Sequence, residues 1–231
     1  MKTYDIFLFD ADDTLYDFGM AEENAMKTLF GFCGFEYSEE ILATYRDINV
    51  RAWADYNLGK VTKDELQILR FSRFFEAIGI SYDIPDFNQM YLTELGKGTF
   101  LIDGAFEICK EIVSSGKEIY IITNGILKVQ ETRIKHSPLK DYISDFFVSE
   151  FVGYQKPDIK YFEYVLSHIP KIDLEKILII GDSLLADIAG GNNAGIDTCW
   201  FNEFNKENKT EIVPTYKISK LSEIREFIIE G

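Results

Sequence analysis

Near its start the chain reads Ile6-Phe7-Leu8-Phe9-Asp10-Ala11-Asp12-Asp13-Thr14, four apolar residues followed at once by a group of acidic ones. A continuous apolar run of this length is typical of a β-strand that is covered on both faces of a sheet. The abrupt change to acidic residues indicates the point where the strand passes into a loop. We therefore expect an interior strand at 6–9, with Asp10 and Asp12 at its carboxyl end.

Similar apolar runs recur in the second part of the chain and alternate with helical patterns. The predicted strands are residues 118–122, 146–148, 177–180, 198–201 and 217–219. Strands that alternate with helices form right-handed βαβ units and a mostly parallel sheet with helices on both faces. The sequence therefore predicts an α/β protein built on a Rossmann-like, doubly wound parallel sheet.

The long segment between the first strand and the others shows no strand pattern, but it contains three helical ones. Helix starts are indicated by Ser38, by Thr62 with Glu65 in capping-box spacing, and by Pro85. We therefore expect an all-helical domain inserted into the sheet domain. The expected bounds are 17–97 for the helical domain, and 1–16 together with 98–231 for the sheet domain.

Composition limits the possible partners and the compartment. The 231 residues include 39 Asp and Glu against 24 Lys and Arg, which gives a formal net charge of -15. Polymeric nucleic acid is an unsuitable partner because its phosphates are bound by clustered basic residues. Three cysteines without paired spacing predict no disulfide framework and fit a reducing cytoplasm. No apolar run approaches the roughly 20 residues that cross a bilayer, so we expect a cytoplasmic protein without membrane contact.

Polar residues follow each of the predicted interior strands. Thr123 and Asn124 follow the second strand, Lys156 comes shortly after the third, and Asp182 and Asp187 follow the fourth. Ligands of open parallel sheets bind beyond the carboxyl ends of the strands. We therefore expect these side chains to meet the acidic residues that follow the first strand.

Carboxylates gathered at one place repel one another unless a cation neutralises them. Oxygen ligands favour a hard divalent ion such as Mg²⁺. The positive charge of Lys156 and the hydroxyl of Thr123 suit an anionic phosphoryl group. Each motif alone is also typical of a solvated turn, a helix cap or a lysine before an N-terminal proline. Their joint occurrence at successive strand ends favours a site for phosphoryl transfer.

These residues resemble the motifs of the haloacid dehalogenase-like (HAD) hydrolase superfamily. The stretch 9–15 is similar to its first motif, Asp-x-Asp-x-Thr, and Thr123 to its second. Lys156-Pro157 is similar to the third motif, and Gly181-Asp182 with Asp187 to the fourth. The resemblance implies a Rossmann-like core with the strand order 5-4-1-2-3, and it implies that the helical insertion is a cap domain.

The resemblance also implies roles for individual residues. Asp10 would be the nucleophile that forms an aspartyl-phosphate, and Asp12 would be the general acid and base. Thr123 and Lys156 would hold the phosphoryl oxygens. Asn124 would lie close by as a substrate-binding residue. Phe18, just after the catalytic loop, is a further candidate, because its ring could stack on the base of a nucleotide. The implied Mg²⁺ ligands are the carboxylate of Asp10, the main-chain carbonyl of Asp12, Asp182, and Asp187 either through water or as a partner of Lys156.

A narrower similarity concerns the substrate. The stretches 15–18 and 122–125, with Gln130 and Arg133, resemble the pyrimidine 5′-nucleotidase branch, so we expect a small phosphorylated metabolite such as a nucleoside 5′-monophosphate. A sugar-phosphate phosphatase or phosphomutase is the nearest alternative. Dehalogenases lack the acid at Asp12, and phosphonate-cleaving relatives use a lysine of the cap. A phospho-accepting signalling domain is disfavoured because its acceptor follows the third strand.

Overall fold

The computed structural model describes residues 2–170 and 173–228. The chain divides into two compact units, one formed by Met1–Gly19 with Thr99–Gly231 and the other by Met20–Gly98. We call them the sheet unit and the helical unit. Within the described residues, none of the helices combines the length and the apolar character that crossing a bilayer requires.

The sheet unit contains a parallel sheet. In chain order its strands are β1 (Ile6–Phe9), β2 (Glu118–Thr123), β3 (Asp145–Val148), β4 (Ile177–Gly181), β5 (Asp197–Phe201) and β6 (Tyr216–Ile218). Their order across the sheet is β3-β2-β1-β4-β5-β6, and every neighbouring pair is parallel. Strand β1 is central, with Ile6 level with Glu118 on one side and Ile177 on the other. The predicted doubly wound α/β fold and the expected 5-4-1-2-3 order are confirmed, and β6 extends that order by one strand.

Both faces of the sheet are buried, which explains the continuous apolar runs. Phe7 and Phe9 point into one apolar core, and Ile6 and Leu8 point into another. Helix α5 (Ala105–Ser114) contributes side chains to the first core, and α8 (Ile159–His168) contributes to the second. Successive strand residues point to opposite faces, so a strand between two helical layers must be apolar at every position.

The remaining α-helices and short helical turns complete both units. The helical unit holds α1 (Phe18–Cys33), which begins in the sheet unit, α2 (Glu39–Asn57), α3 (Lys63–Ile78) and α4 (Ile84–Lys97). The sheet unit also has α6 (Leu127–His136), α7 (Ser149–Val152), α9 (Ala189–Asn193), 3₁₀ turns at Leu174–Lys176 and Leu221–Phe227, and a π-helical turn at Leu184–Ile188.

Three of the four helices of the helical unit begin at the capping signals of the sequence, whereas α1 is not predicted from the sequence. Thr62 Oγ1 accepts a hydrogen bond from the N–H of Glu65 at 3.2 Å, and Glu65 accepts one from the N–H of Thr62 at 2.8 Å. Ser38 caps α2, and Pro85 lies in the first turn of α4. The four helices enclose aromatic side chains that include Phe30, Tyr45, Phe71, Phe74, Phe87 and Tyr91.

Candidate active site

Lys156 lies between two buried carboxylates at the carboxyl ends of the strands. Its Nζ donates hydrogen bonds to Asp10 Oδ1 and Asp187 Oδ1, both at 2.6 Å, and to the carbonyl oxygen of Ile122 at 2.8 Å. An ammonium group has three donors, so all of them are used. Burial by itself would lower the pKa of Lys156, but the charges of Asp10 and Asp187 outweigh it and raise that pKa. Lys156 is therefore a fixed positive charge.

The main chain of Lys156 is held by the loop that follows β2. The N–H of Lys156 donates to Asn124 Oδ1, and Asn124 Nδ2 donates to the carbonyl oxygen of Lys156, both at 2.9 Å. These two bonds join the segments after β2 and β3. The structure thus places Asn124 at the site as a residue that positions Lys156, and its predicted contact with substrate stays a prediction.

Asp187 is oriented by the turn that follows β4. Its Oδ1 accepts from Lys156, and its Oδ2 accepts from the N–H of Ser183 at 3.1 Å. A Cβ atom at Gly181 would lie 2.2 Å from Asp187 Oδ2, so this close approach requires glycine there. The sequence pattern predicts one helix over 184–194, whereas the structure has a π-helical turn and then α9. The π-helical turn carries the buried Asp187.

Three carboxylates form a group that could hold a metal ion. One oxygen from each of Asp10, Asp182 and Asp187 lies within 4.8 Å of the others. Burial and the neighbouring carboxylates raise the pKa values of Asp10 and Asp182, while Lys156 opposes this shift. A divalent cation would remove the repulsion, and carboxylate oxygens are the donors that Mg²⁺ prefers. The donor set therefore fits the predicted ion.

The carboxylate of Asp12 is turned toward α6. Gln130 Nε2 donates to Asp12 Oδ2 at 2.6 Å, and Arg133 Nη1 forms an ion pair with Asp12 Oδ1. From the sequence, Gln130 and Arg133 are known only as part of the similarity to the nucleotidase branch, with no role at the site, because the candidate site residues directly follow strands and these two lie on a helix. Their spacing of three residues puts both on one helix face, but no pattern in the sequence shows that this face meets Asp12.

Thr123 and Phe18 occupy different surroundings. Thr123 is buried at the end of β2, where its Oγ1 accepts the N–H of Gly125 at 3.0 Å and keeps a proton to donate. Phe18 is half-buried at the first residue of α1. The predicted role of Thr123 in holding a phosphoryl group and that of Phe18 in binding substrate stay predictions.

A cavity of about 250 Å³ lies in the sheet unit beside Asp182. It is bordered by the loop after β5, where Phe204 is exposed and Lys206 Nζ lies 5.7 Å from the centre of its ring. Asn202 fixes this loop through hydrogen bonds with the main-chain N–H and carbonyl of Lys206, at 2.8 and 2.9 Å. Phe18 does not border this cavity, as far as the described residues show.

Comparison with known proteins identifies the family. The family model of the haloacid dehalogenase-like hydrolases matches residues 7–201. This match covers most of the chain, from the second residue of β1 to the end of β5, and includes all the strand-end residues described above. The chain belongs to the haloacid dehalogenase-like hydrolases, so the family that its motifs resemble is confirmed, and the chain is an enzyme.

Curated relatives cover nearly the whole chain. The HAD-hydrolase YfnB of Bacillus subtilis is 43% identical over 97% of this chain and 95% of its own length. The pyrimidine 5′-nucleotidase PynA of Streptococcus pneumoniae is 38% identical over 93% of this chain and 91% of its own length. The pyrimidine 5′-nucleotidase YjjG of Escherichia coli is 31% identical over 97% of this chain and 98% of its own length. A crystal structure of YfnB bound to magnesium matches 98% of this chain and 99% of its own, with a TM-score of 0.91 and 42% identity.

Proposed function

We propose that the chain is a Mg²⁺-dependent phosphomonoester hydrolase that acts through an aspartyl-phosphate on nucleoside 5′-monophosphates. The observation that carries this proposal is the contact of Asp10 with Lys156, within the three-carboxylate group that could hold a cation. The nucleotide part rests on the similarity to two relatives named pyrimidine 5′-nucleotidases. A small phosphate ester also agrees with the modest volume of the cavity. The acidic net charge of the chain disfavours polyanions as substrates.

In the first step a carboxylate oxygen of Asp10 attacks phosphorus, and the bond from phosphorus to the leaving oxygen breaks. Thr123 donates a hydrogen bond to one phosphoryl oxygen. Lys156 donates to another with the N–H that Asp10 Oδ1 accepts in the free site, because Asp10 loses its negative charge when it bonds to phosphorus. Asp12 gives a proton to the leaving oxygen, so the product alcohol departs neutral. The groups that would hold Mg²⁺ are the carboxylates of Asp10 and Asp182 and the main-chain carbonyl of Asp12, with Asp187 either a ligand through water or the residue that orients Lys156. The bound ion would neutralise charge between the carboxylates and the phosphoryl group.

In the second step water attacks phosphorus, and Asp12 takes up the proton that water loses. The bond between Asp10 and phosphorus breaks, which releases inorganic phosphate and restores the carboxylate. Each proton that Asp12 gives in the first step is returned in the second. No redox partner or further reactant is required.

A substrate panel tests the proposal. We expect phosphate release from nucleoside 5′-monophosphates with Mg²⁺, and loss of that release with EDTA and in Asp10→Asn. The matched control is Asp141→Asn, an exposed carboxylate of the sheet unit, which should keep full activity. Hydroxylamine added during turnover should convert Asp10 to a hydroxamate that mass spectrometry detects.

The outcomes separate mechanism from substrate. Activity that survives EDTA or Asp10→Asn would contradict the mechanism. Good activity on sugar phosphates with none on nucleotides would contradict the nucleotide assignment and leave the phosphatase mechanism in place.

A further inference from the structure

We infer that Gln130 and Arg133 are positioning residues of the reaction, which hold the Asp12 carboxylate for proton transfer to the leaving oxygen. The inference rests on the proposed function. It starts from a two-sided contact: Gln130 Nε2 lies 2.6 Å from Asp12 Oδ2, and Arg133 Nη1 pairs with Asp12 Oδ1. Two donors on the two oxygens fix both the position and the plane of the carboxylate.

The carboxylate nonetheless stays available for chemistry. A carboxyl group has about four lone-pair sites, so a donor on each oxygen leaves one site on each oxygen unused, and one of these sites can carry the proton that Asp12 gives to the leaving oxygen. The side chain of Asp12 is 27% exposed, whereas that of Arg133 is 0% exposed. The pair of donors therefore comes from the protein interior and supports a carboxylate that retains an open side.

The surrounding structure fixes the two donors in turn. The Arg133 guanidinium lies 5.5 Å from the ring centre of Tyr16, and Tyr16 pairs through its main chain with Asp12. The carbonyl oxygen of Tyr16 also accepts the N–H of Asp13 at 2.8 Å. One short segment thus supports both the main chain of Asp12 and the arginine that holds its side chain.

Gly125 provides the room that Gln130 needs. A Cβ atom at position 125 would lie 2.4 Å from Gln130 Nε2 and 3.0 Å from its Cγ. A side chain there would push the amide away from Asp12. Gly125 therefore helps to orient Asp12, because it leaves space for the amide of Gln130.

The burial of Gln130 and Arg133 lowers the stability of the fold, which a purely structural role would not explain. Within the described part of the chain, Arg133 Nε and Nη2 and Gln130 Oε1 are buried without a hydrogen-bond partner. A buried polar atom that is left unpaired costs free energy of folding. An arginine selected only for stability would have more of its donors bonded, whereas its one well-placed bond serves Asp12.

The test compares two esters in the same variants. Protonation of the leaving oxygen is essential for an alkyl ester such as a nucleoside 5′-monophosphate, and matters little for p-nitrophenyl phosphate, whose leaving group is a stable anion. In Gln130→Leu and Arg133→Gln we expect kcat on the nucleotide to fall about 10²-fold. We expect kcat on p-nitrophenyl phosphate to change less than about threefold, and KM for both esters to stay within about twofold.

Three further variants sharpen the test. Arg133→Lys should restore part of the nucleotide kcat because it returns a cation to the same place. Gly125→Ala should reproduce the Gln130→Leu effect, and Gln130→Leu should cause no further selective loss in an Asp12→Asn background. Arg225→Gln, which removes an exposed arginine paired with Glu111 at 2.7 Å, is the matched control and should leave both rates unchanged.

Each outcome is informative. An equal loss on both esters, no loss, or a gain on the nucleotide would overturn the positioning role. If the Arg133 variants fail to fold, Gln130→Leu and Gly125→Ala decide the question. Failure of the proposed function is distinguishable, because the wild-type chain would then release no phosphate from the nucleotide, before any variant is compared.

Discussion

Each unit of the molecule buries a group of charged side chains, and the two groups differ in how their charges balance. In the sheet unit, three carboxylates stand close to the single positive charge of Lys156. In the helical unit, the buried Glu22 pairs with Arg46 at 2.9 Å and accepts a hydrogen bond from Asn49 at 3.2 Å. The first group is left with excess negative charge, while the second is compensated.

This difference in charge balance distinguishes a functional site from an ion pair with a structural role. Glu22 is buried, but the side chain of its partner Arg46 is 41% exposed. A compensated pair of this kind contributes little net stability and is often replaceable by uncharged residues. An uncompensated group costs stability wherever it stands, so its presence indicates that a missing cation or ligand completes it. Charge balance, rather than burial of charge as such, therefore distinguishes the strand-end residues.

The largest effect is expected from removing the cation of the uncompensated group. In Lys156→Met we expect kcat on p-nitrophenyl phosphate to fall about 10²–10³-fold, because the phosphoryl group loses a fixed donor in a buried site. Lys140→Met, which removes an exposed lysine of the same unit, should keep the wild-type rate. If the Lys156→Met rate is close to that of the wild type, the charge imbalance does not indicate a catalytic site.

Adding a divalent cation should stabilise the sheet unit, and this stabilisation should not depend on the Glu22–Arg46 pair in the helical unit. Mg²⁺ at about 100 times its Kd should raise the Tm by several degrees, since it binds the folded state preferentially. Asp182→Asn should lose most of this shift, and Glu22→Gln should keep it. Thermal unfolding followed by circular dichroism with Mg²⁺ and with EDTA measures both. An undiminished shift in Asp182→Asn would place the ion elsewhere.

Neutralising Glu22 should have a modest effect that depends on pH. Burial raises the pKa of Glu22 above its ordinary value of 4.5, although Arg46 and Asn49 oppose the shift. The folded state therefore binds the proton more tightly, so this carboxyl favours folding below pH 4.5 and loses that advantage as the pH rises through its folded pKa. We expect Glu22→Gln to be within about 1 kcal/mol of the wild type at pH 7.

Urea unfolding of Glu22→Gln and the wild type at pH 4 and pH 7 measures this dependence. The wild type should gain stability relative to the variant at the lower pH. A relative gain at pH 7 instead would show that the ion pair with Arg46 outweighs burial, and the two charge groups would then differ less than we propose.

The smallest effect concerns the cysteines, whose reactivity measures how accessible the interior of each unit is to a small reagent. Burial raises the pKa of Cys109 to about 12 and also raises that of Cys199, and both thiols lie in the core of the sheet unit. Cys33 in the helical unit is partly exposed. We expect iodoacetamide to modify Cys33 first, with Cys109 and Cys199 modified only on unfolding. Mass spectrometry of the labelled chain checks this order.

Much of the architecture could be predicted because it depends on local pattern. Apolar runs such as Ile6–Phe9 correspond to strands covered on both faces, and the capping residue Thr62 indicates where α3 begins. The helix expected over 184–194 was wrong in detail, since a π-helical turn precedes α9. Close approach of Asp187 to Gly181 is a tertiary contact that no periodicity reveals.

The sequence alone was sufficient for the fold class and for the residue types gathered beyond the strands, because parallel strands bring their carboxyl ends to one edge. Only the folded chain showed how these residues pair. Gln130 and Arg133 reach Asp12 across 118 and 121 residues of chain. Contacts over such separations depend on the packing of α6 against the first loop and leave no periodic signal in the sequence, so the orientation of Asp12 could be learned only from the tertiary structure.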